Sequence, residues 1–303
     1  MATFQQQRLA RFVDRESEMN SFCKMLDGDW PRPILAVWGE GGMGKSSLLL
    51  RMVHECSLRS LSKVEINWSD TRNYDYLAVM RKIRDDLGAP QFSGFTDLVN
   101  FYTVPRHRLE VVVETNAPID VARNATFGPN AQVGFMGGVV LQPGAINADL
   151  MLNDARTDLG ISESDRMAQL TDSFVRELNA LALQGRVVIF LDAIEKATNT
   201  TQRWIWDELF GALRADRLAN VLVVIGGRNQ PVIDEDWRLL VEERRLGPLS
   251  REHIVEYMIK REIAYDAAQR EIAADVIFDA TQGNPLSVAS TVEAMSRRQG
   301  MKA

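Results

Sequence analysis

A glycine-rich turn between an apolar run and a helical pattern is the feature that most constrains the fold of this sequence. The apolar run Ile34–Trp38 leads into the turn, and the pattern G-x-x-x-x-G-K-S extends from Gly39 to Ser46. Glycines let the backbone adopt positive φ and curve its N–H groups around an anion, and the following helix adds its positive end. The motif therefore predicts a phosphate-binding loop between a strand and a helix.

We expect this loop to bind a nucleotide together with Mg²⁺. Lys45 is expected to reach the β- and γ-phosphates, and the hydroxyl group of Ser46 is expected to hold the metal. The alternative is a glycine turn with a solvated lysine, which the strand before the loop and the helix after it disfavour. The residues that we assign to nucleotide binding in this stretch are Gly39, Glu40, Gly41, Gly42, Met43, Gly44, Lys45, Ser46 and Ser47.

A second apolar run, 187–191, ends in Asp192, which is the Walker B pattern. A buried parallel strand carries its last residue to the carboxyl edge of the sheet, where ligands bind. Asp192 can there accept a water molecule of the Mg²⁺ that Ser46 holds. The other interpretation is an ordinary strand that ends in a turn aspartate. Downstream of a phosphate-binding loop we favour the metal-binding role.

Composition excludes several classes of protein. The formal net charge of −6 argues against a general nucleic-acid binder. The two cysteines and three scattered histidines have no metal-ligand spacing, so neither a disulfide framework nor a zinc site is expected. No apolar run is long enough to span a bilayer, and the N-terminus lacks the core of a signal peptide. We therefore expect a cytoplasmic protein that does not bind membranes.

The alternation of strand and helix patterns predicts an α/β protein. We expect a three-layer P-loop NTPase domain with a mostly parallel sheet over residues 1–249, and a small all-helical lid subdomain over 250–303. Residues 63–68 are predicted to form a strand near the sheet edge, 221–225 a buried strand, and 245–249 a short last strand.

Residues 91–160 differ from the rest of the chain, because turn-forming residues recur there at short intervals. We interpret this stretch as an insertion into the NTPase domain. A disordered excursion, a folded β-insert and a partner-binding arm all fit the pattern.

The stretch Phe12-Val13-Asp14-Arg15-Glu16 resembles the F-V-G-R-E box that precedes the phosphate loop in STAND-type ATPases and their AAA relatives. The resemblance implies that Phe12, Val13 and Arg15 lie against the adenine base of ATP. Asp14 stands where the family has glycine, which puts the backbone turn in doubt. Helical spacing over 16–26 is also typical of an N-terminal helix that simply packs on the core.

Asp192-Ala193-Ile194-Glu195 resembles the D-A-L-D-E or D-G-x-D-E signature of the NACHT-like members of that family, although Lys196 replaces the second acid. The resemblance leaves Glu195 as the candidate that polarises the attacking water, as general-base catalysis requires. Because no acid follows Asp192 directly, Glu195 could equally be a surface-loop residue.

Two later positions match the same family in its order. Arg228, at the end of the strand 221–225, resembles the sensor arginine that pairs with the γ-phosphate. Two glycines precede Arg228 where the family has a threonine, and an exposed loop arginine is the alternative. Pro285 lies in a G-x-P turn between helices, which in that family packs near the base.

The resemblance covers the ATPase core and the helical lid, and it implies a function. We expect a slow ATPase that acts as a signalling switch, in which nucleotide controls conformation and self-assembly into a homo-oligomer or binding to a separately encoded partner. The alternative is a nucleotide-gated protein-interaction module with negligible hydrolysis, which the absence of an acid directly after Asp192 favours. An ATPase that acts on DNA is disfavoured by the acidic charge balance. We find no repeats, no winged-helix segment after Met301 and no effector before Phe12, so we expect a stand-alone ATPase or a fragment.

Overall fold

The computed structural model describes residues 9–69, 74–103, 107–111, 146–150, 162–231 and 234–300. The described strands are β1 Ile34–Trp38, β2 Ser62–Asn67, β3 His107–Val111, β4 Ile146–Leu150, β5 Val187–Asp192, β6 Val221–Gly227 and β7 Val241–Arg245. Five of them form one parallel sheet in the order β2-β5-β6-β1-β7. β3 and β4 pair with each other in antiparallel register.

Helices connect these strands. Their bounds are α1 Glu16–Asp27, α2 Lys45–Leu58, α3 Tyr76–Leu87, α4 Ser93–Thr103, α5 Glu163–Ala182, α6 Asn199–Arg203, α7 Phe210–Arg214, α8 Glu235–Arg238, α9 Arg251–Lys260, α10 Ala267–Thr281 and α11 Pro285–Gly300. A π-helical turn, Trp204–Leu209, joins α6 to α7. Within the described residues no helix is both long and apolar enough to cross a membrane.

The parallel sheet forms the middle layer of the fold, as the sequence predicts. Every residue of β5 and β6 is buried, which explains why these strands are almost continuous apolar runs. On one face, α1 and α2 pack against alternate strand residues such as Val37 and Phe190. The opposite face is covered by the α6–α7 segment, whose Trp204 and Phe210 are fully buried. The expectation of a three-layer α/β fold is confirmed.

The last strand of the sheet differs from the prediction. It is Val241–Arg245, parallel to β1, and not 245–249. Its sequence, V-E-E-R-R, is charged, yet the Glu242 side chain is buried because it forms ion pairs with Arg32 and Arg244. Leu246 donates one further backbone bond to the Trp38 carbonyl (2.8 Å) before the chain leaves the sheet. The predicted edge strand 63–68 is confirmed as β2.

The C-terminal helices have an apolar cluster of their own. Ile254 and Met258 of α9, Ile277 of α10 and Val288 and Val292 of α11 are all buried in it. These helices are the predicted lid, and its boundary at residue 250 stays a prediction.

The chain separates into two compact units, Met1–Phe95 with Thr171–Ala303, and Thr96–Leu170. The predicted insertion, 91–160, lies mostly outside the described residues; its described parts include most of α4 and the pair formed by β3 and β4.

Candidate functional site

The glycine-rich loop has the backbone conformation that an anion site needs. Gly42 and Gly44 have φ of 83° and 85°, in the left-handed region that favours glycine. Gly44 caps α2, which begins at Lys45. The first turn of a helix leaves its N–H groups without intrahelical acceptors, and the helix dipole makes this end positive. The loop and the start of α2 can therefore bind phosphate.

Lys45 lies across this loop. Its Nζ donates hydrogen bonds to the carbonyl oxygens of Gly39 (2.6 Å) and Glu40 (2.8 Å). Burial lowers the pKa of Lys45, while the nearby carboxylates of Glu195 and Asp192 act in the opposite direction. The ammonium group is thus partly removed from water and close to both acids, which is the position from which it can bind a phosphate oxygen.

Asp192 ends β5 beside the start of α2. Its carboxylate accepts a hydrogen bond from the Ser46 hydroxyl and another from the backbone N–H of Ala193 (2.9 Å). Asp192 is 7% exposed, and burial raises the pKa of its carboxyl group, with Ser46 and Ala193 opposing the rise. A hydroxyl and a carboxylate oxygen in contact are hard ligands of the kind that Mg²⁺ takes, so these two residues fit a magnesium site.

Gly226 makes room for that carboxylate. It is the register partner of Asp192 on β6, and a Cβ atom at residue 226 would lie 2.8 Å from Asp192 Oδ1 and 3.2 Å from Leu49 Cδ2. A side chain at this position would displace the carboxylate. Gly226 is the first of the two glycines that precede Arg228 where the family has a threonine. The space that the Asp192 carboxylate needs explains why a glycine stands at this position.

Glu195 and Arg228 contact each other at the same edge of the sheet. Glu195 Oε2 accepts a hydrogen bond from the Arg228 backbone N–H (3.3 Å), and Glu195 Oε1 lies 3.4 Å from Arg228 Nε. Ala193, between the two acids, adopts the left-handed conformation, with φ of 58°, and Glu195 lies in the short 3₁₀ turn Ile194–Lys196 that follows. Side-chain exposure is 20% for Glu195 and 61% for Arg228. The candidate base is therefore held by the candidate sensor.

A cavity of about 240 Å³ opens beside the glycine-rich loop. We call it the box cavity, because residues of the F-V-D-R-E stretch form one side of it. Predicted nucleotide-binding residues line it: Phe12, Val13, Arg15, Met43, Gly44, Ser47 and Pro285. The other side is lined by Tyr257, Val288 and Ala289 of the C-terminal helices and by Leu249, which precedes them.

The F-V-D-R-E stretch keeps the turn that a glycine would favour. Asp14 and Arg15 both have positive φ, at 64° and 80°, and aspartate tolerates this region better than most residues. The Arg15 guanidinium donates to the carbonyl oxygens of Met43 (3.2 Å) and Gly247 (2.6 Å) and pairs with Asp14 (3.0 Å). Arg15 therefore ties the box to the loop, and the substitution of glycine by Asp14 does not abolish the turn.

The start of α11 contacts the glycine-rich loop directly. Leu286 donates its backbone N–H to the Gly42 carbonyl (3.2 Å), and Asn284 Nδ2 donates to the Gly41 carbonyl (3.3 Å). A Cβ atom at Gly42 would lie 2.8 Å from Asn284 Oδ1, so the approach requires a glycine there. These bonds link the lid and the loop physically.

No family model and no curated protein matches the sequence. Among solved structures, Cdc6p from Pyrobaculum aerophilum matches with a TM-score of 0.50 and 14% identity, over 96% of this chain and 64% of that one. This likeness shows a P-loop NTPase fold. A Walker-type ATPase of Pyrococcus abyssi matches with a TM-score of 0.49 and 15% identity, over 96% of this chain and 72% of that one. A STAND protein with a tetratricopeptide repeat sensor from Pyrococcus horikoshii matches with a TM-score of 0.44 and 15% identity, over 91% of this chain and 29% of that one.

Within this P-loop NTPase fold, the predicted catalytic residues and the predicted base-binding residues form two groups. Lys45, Ser46, Asp192, Glu195 and Arg228 meet at the carboxyl ends of β1, β5 and β6. Phe12, Val13, Arg15 and Pro285 meet at the box cavity. Glu40 is exposed, and its backbone carbonyl accepts a hydrogen bond from Lys45.

Sequence reasoning missed Tyr257, Asn284 and the lid residues around them. Tyr257 and Val288 belong both to the apolar cluster of the C-terminal helices and to the cavity lining, and helical periodicity cannot distinguish a core position from a cavity wall. Asn284 stands in the G-x-P turn, so this turn was the available signal for its contact with the loop.

Proposed function

We propose that the chain binds ATP with Mg²⁺ at the glycine-rich loop and hydrolyses it slowly, as a STAND-like switch. The observation that carries the proposal is the convergence of Lys45, Ser46, Asp192 and Glu195 beside the positive end of α2. Catalysis of phosphoryl transfer depends almost entirely on positioning the reactants and stabilising the charge of the transition state, and these groups can supply both.

Each residue has a role in this proposal. Lys45 and the loop N–H groups bind the phosphate oxygens, and Ser46 and Asp192 hold the metal, which neutralises phosphate charge when bound. Glu195 accepts a proton from the attacking water. Arg228 pairs with the terminal phosphate, which requires its side chain to leave Glu195. The base lies in the box cavity between Phe12, Val13 and Pro285.

The lid provides the conformational element of the switch. Asn284 and Leu286 contact the same loop that binds the phosphates. A change in loop geometry on nucleotide binding therefore shifts the position of α11. Lys260 of α9 also donates to the Phe12 carbonyl (2.6 Å), which ties the box to the lid. We propose that the ATP state exposes a surface for a second copy of the chain or for a partner protein.

A second candidate function is a nucleotide-gated interaction module with negligible hydrolysis. Ala193 occupies the position after Asp192 where many ATPases have their glutamate, and both carboxylate oxygens of Glu195 face Arg228. If Arg228 keeps Glu195 engaged while nucleotide is bound, no carboxylate is available to activate water.

The first test is to identify the nucleotide that the purified protein carries and then to follow phosphate release after ATP is added. Bound ADP that exchanges slowly, with little turnover, supports the switch. An empty site with steady hydrolysis supports a constitutive ATPase and contradicts the signalling role. Bound ATP that persists without phosphate release supports the second candidate. Lys45→Ala is the control, because loss of the ammonium should abolish nucleotide binding in every case.

A further inference from the structure

Asp14, Glu16 and His253 lie together where the F-V-D-R-E stretch meets the first lid helix. Asp14 precedes α1, Glu16 begins α1, and His253 lies in the first turn of α9. One carboxylate oxygen of Asp14, one of Glu16 and one ring nitrogen of His253 all lie within 4.8 Å of one another. We call these three residues the box–lid cluster. They are not among the residues that line the box cavity, so the proposed nucleotide site does not account for them.

The ring of His253 has an orientation that suits a metal ligand. Its Nε2 lies 3.7 Å from Asp14 Oδ1, and its Nδ1 lies 3.0 Å from the hydroxyl oxygen of Ser250, the N-cap residue of α9. When Nδ1 donates its proton to that hydroxyl, Nε2 keeps the lone pair that a metal ion needs. Metal-binding histidines almost always have their second nitrogen engaged in this way. Ser250 is therefore placed to fix the tautomer and the direction of Nε2.

Both carboxylates of the cluster have an oxygen available. Glu16 is exposed, and its carboxylate forms no ion pair or hydrogen bond with another described residue. Asp14 uses Oδ2 for its ion pair with Arg15 (3.0 Å), and its Oδ1 accepts a hydrogen bond from the Arg15 backbone N–H (2.7 Å). Because a carboxylate oxygen has two lone pairs, Oδ1 can bind a metal ion as well.

The spacing of the ligand atoms is close to that of a coordination sphere. Bond lengths of about 2.0–2.1 Å place the ligand atoms of a tetrahedral zinc ion about 3.3 Å apart. The distance from His253 Nε2 to Asp14 Oδ1 is only a few tenths of an ångström longer, at 3.7 Å. The exposed Glu16 side chain can rotate to bring its oxygen to the same ion. The cluster can therefore close around a metal by side-chain rotation.

The composition of the cluster selects a class of metal. An imidazole suits first-row transition metals, whereas Mg²⁺ and Ca²⁺ prefer ligand sets made of oxygen alone. Two carboxylates also balance the charge of a divalent cation. The Arg15 guanidinium and the positive ends of α1 and α9 act against a cation here. We therefore expect an affinity in the micromolar range, weaker than that of structural zinc sites.

We propose that the box–lid cluster binds a divalent transition-metal ion, with Zn²⁺ as the probe, through one atom of each of its three residues. Three protein ligands leave a position for water. The ion joins the segment before α1 to the first lid helix, two segments that Lys260 already links through its hydrogen bond to the Phe12 carbonyl (2.6 Å). Spacing along the chain does not predict this site, because its ligands come from helices that are distant in sequence. The proposal does not depend on ATP hydrolysis.

The test titrates Zn²⁺ into the full, nucleotide-free chain, prepared without a histidine tag and in excess Mg²⁺, and measures the heat of binding. We expect one ion to bind per chain. His253→Gln should weaken binding about 100-fold or more and Glu16→Gln about tenfold or more, because loss of a mere hydrogen-bond partner of a ligand already costs about 10–100-fold. Zn²⁺ should also raise the melting temperature of the wild type but not that of His253→Gln, since a ligand of the folded state stabilises it.

Three control variants should leave the Zn²⁺ affinity unchanged. Glu18→Gln changes another acid in the first turn of α1, His54→Gln removes a histidine of α2, and Cys23→Ser removes a partly exposed thiol. The melting temperature of each variant without Zn²⁺ reports whether it is folded, and Glu16→Gln changes only an exposed side chain. The proposal is overturned if Zn²⁺ does not bind, if either Glu16→Gln or His253→Gln binds it as the wild type does, or if a control variant loses as much affinity as Glu16→Gln.

Discussion

Glu195 presents both of its carboxylate oxygens to Arg228, one to the backbone N–H at 3.3 Å and one to Nε at 3.4 Å. The two residues belong to different elements, the turn after β5 and the end of β6, and 33 positions separate them in sequence. Two assignments made from separate motifs thus meet in one ion pair. The Arg228 side chain cannot pair fully with Glu195 and with a terminal phosphate at the same time. In the proposed mechanism, nucleotide binding is therefore coupled to the release of the Glu195 carboxylate from Arg228.

Glu195→Gln tests the assignment of the base. The amide keeps the size of the side chain and one acceptor oxygen but cannot take a proton. We expect ATP affinity to stay within about threefold of the wild type and phosphate release to slow by about 10²–10⁴. Glu271→Gln on the exposed face of α10 is the matched control and should leave both quantities unchanged. Normal turnover in Glu195→Gln would show that another group activates the water.

Gly226→Ala tests the space that the Asp192 carboxylate occupies. The added methyl would lie 2.8 Å from Asp192 Oδ1, so the carboxylate must move away from Ser46. We expect Mg²⁺-dependent ATP affinity to fall by about tenfold or more, as the loss of one charge-assisted contact implies. Isothermal titration with and without Mg²⁺ measures this effect.

Gly211→Ala is the control for that substitution. Residue 211 lies in α7, and a Cβ atom there meets nothing within 4 Å. Alanine should therefore stabilise the protein by about 0.5–1 kcal/mol and leave Mg²⁺ affinity unchanged. Equal loss of Mg²⁺ affinity in both variants would contradict the steric role of Gly226.

The sequence was most informative where one physical requirement left few residue choices. The loop needs glycines at positive φ, as at Gly42 and Gly44, and the buried strands β5 and β6 need apolar side chains on both faces. The position of β7 was predicted wrongly because its charged sequence does not resemble that of a buried strand. Glu242 can be buried because it forms two ion pairs, one with Arg32, which is distant in sequence, and one with Arg244, which is on the same strand. No local pattern reveals such a partner.

The candidate site shows the same division. Lys45, Ser46 and Asp192 belong to motifs with fixed spacing, so they were identifiable before the fold. The cavity residue Tyr257 and the loop contact of Asn284 depend on how the lid packs, which local sequence does not encode. The ion pair between Glu195 and Arg228 likewise arises only when β5 and β6 pair in their observed register.

Asp192→Asn tests the effect of the buried carboxyl group on stability. Burial raises the pKa of Asp192, so the folded protein binds its proton more tightly than the unfolded chain does. Stability is therefore lost as pH rises from the ordinary aspartate range, about 4, through the folded-state pKa, and stays lower above it. We expect Asp192→Asn to raise the melting temperature of the nucleotide-free protein at pH 7.5. This increase over the wild type should become smaller as the pH is lowered.

Melting curves recorded between about pH 5 and pH 8 measure this difference. The control is Asp85→Asn, since the Asp85 side chain is 57% exposed and its neutralisation should change the melting temperature little at any pH. A melting temperature of Asp192→Asn that falls below the wild type at pH 7.5 would mean that the hydrogen bonds to Ser46 and Ala193 outweigh the cost of burial.

Asn284 has two separable contacts, and two substitutions distinguish them. Its Oδ1 accepts from the N–H groups of Leu286 (3.1 Å) and Ser287 (3.2 Å) at the start of α11, and its Nδ2 donates to the Gly41 carbonyl. Asn284→Ala removes both contacts and should lower the free energy of unfolding by about 1 kcal/mol, as the loss of a helix cap does. Asn284→Ser retains a capping oxygen and should cost only a few tenths of that amount, about 0.3 kcal/mol.

Both variants lose the bond to the glycine-rich loop, so both should weaken ATP binding to a similar degree, about fivefold, the value of one hydrogen bond. Urea unfolding gives the stability of each variant, and titration with ATP gives its affinity. If Asn284→Ser binds ATP as the wild type does while Asn284→Ala binds it weakly, the cap of α11 and not the link to Gly41 supports the nucleotide site. Equal weakening in both would place the coupling between lid and loop in this one hydrogen bond, because the serine variant keeps the helix start intact.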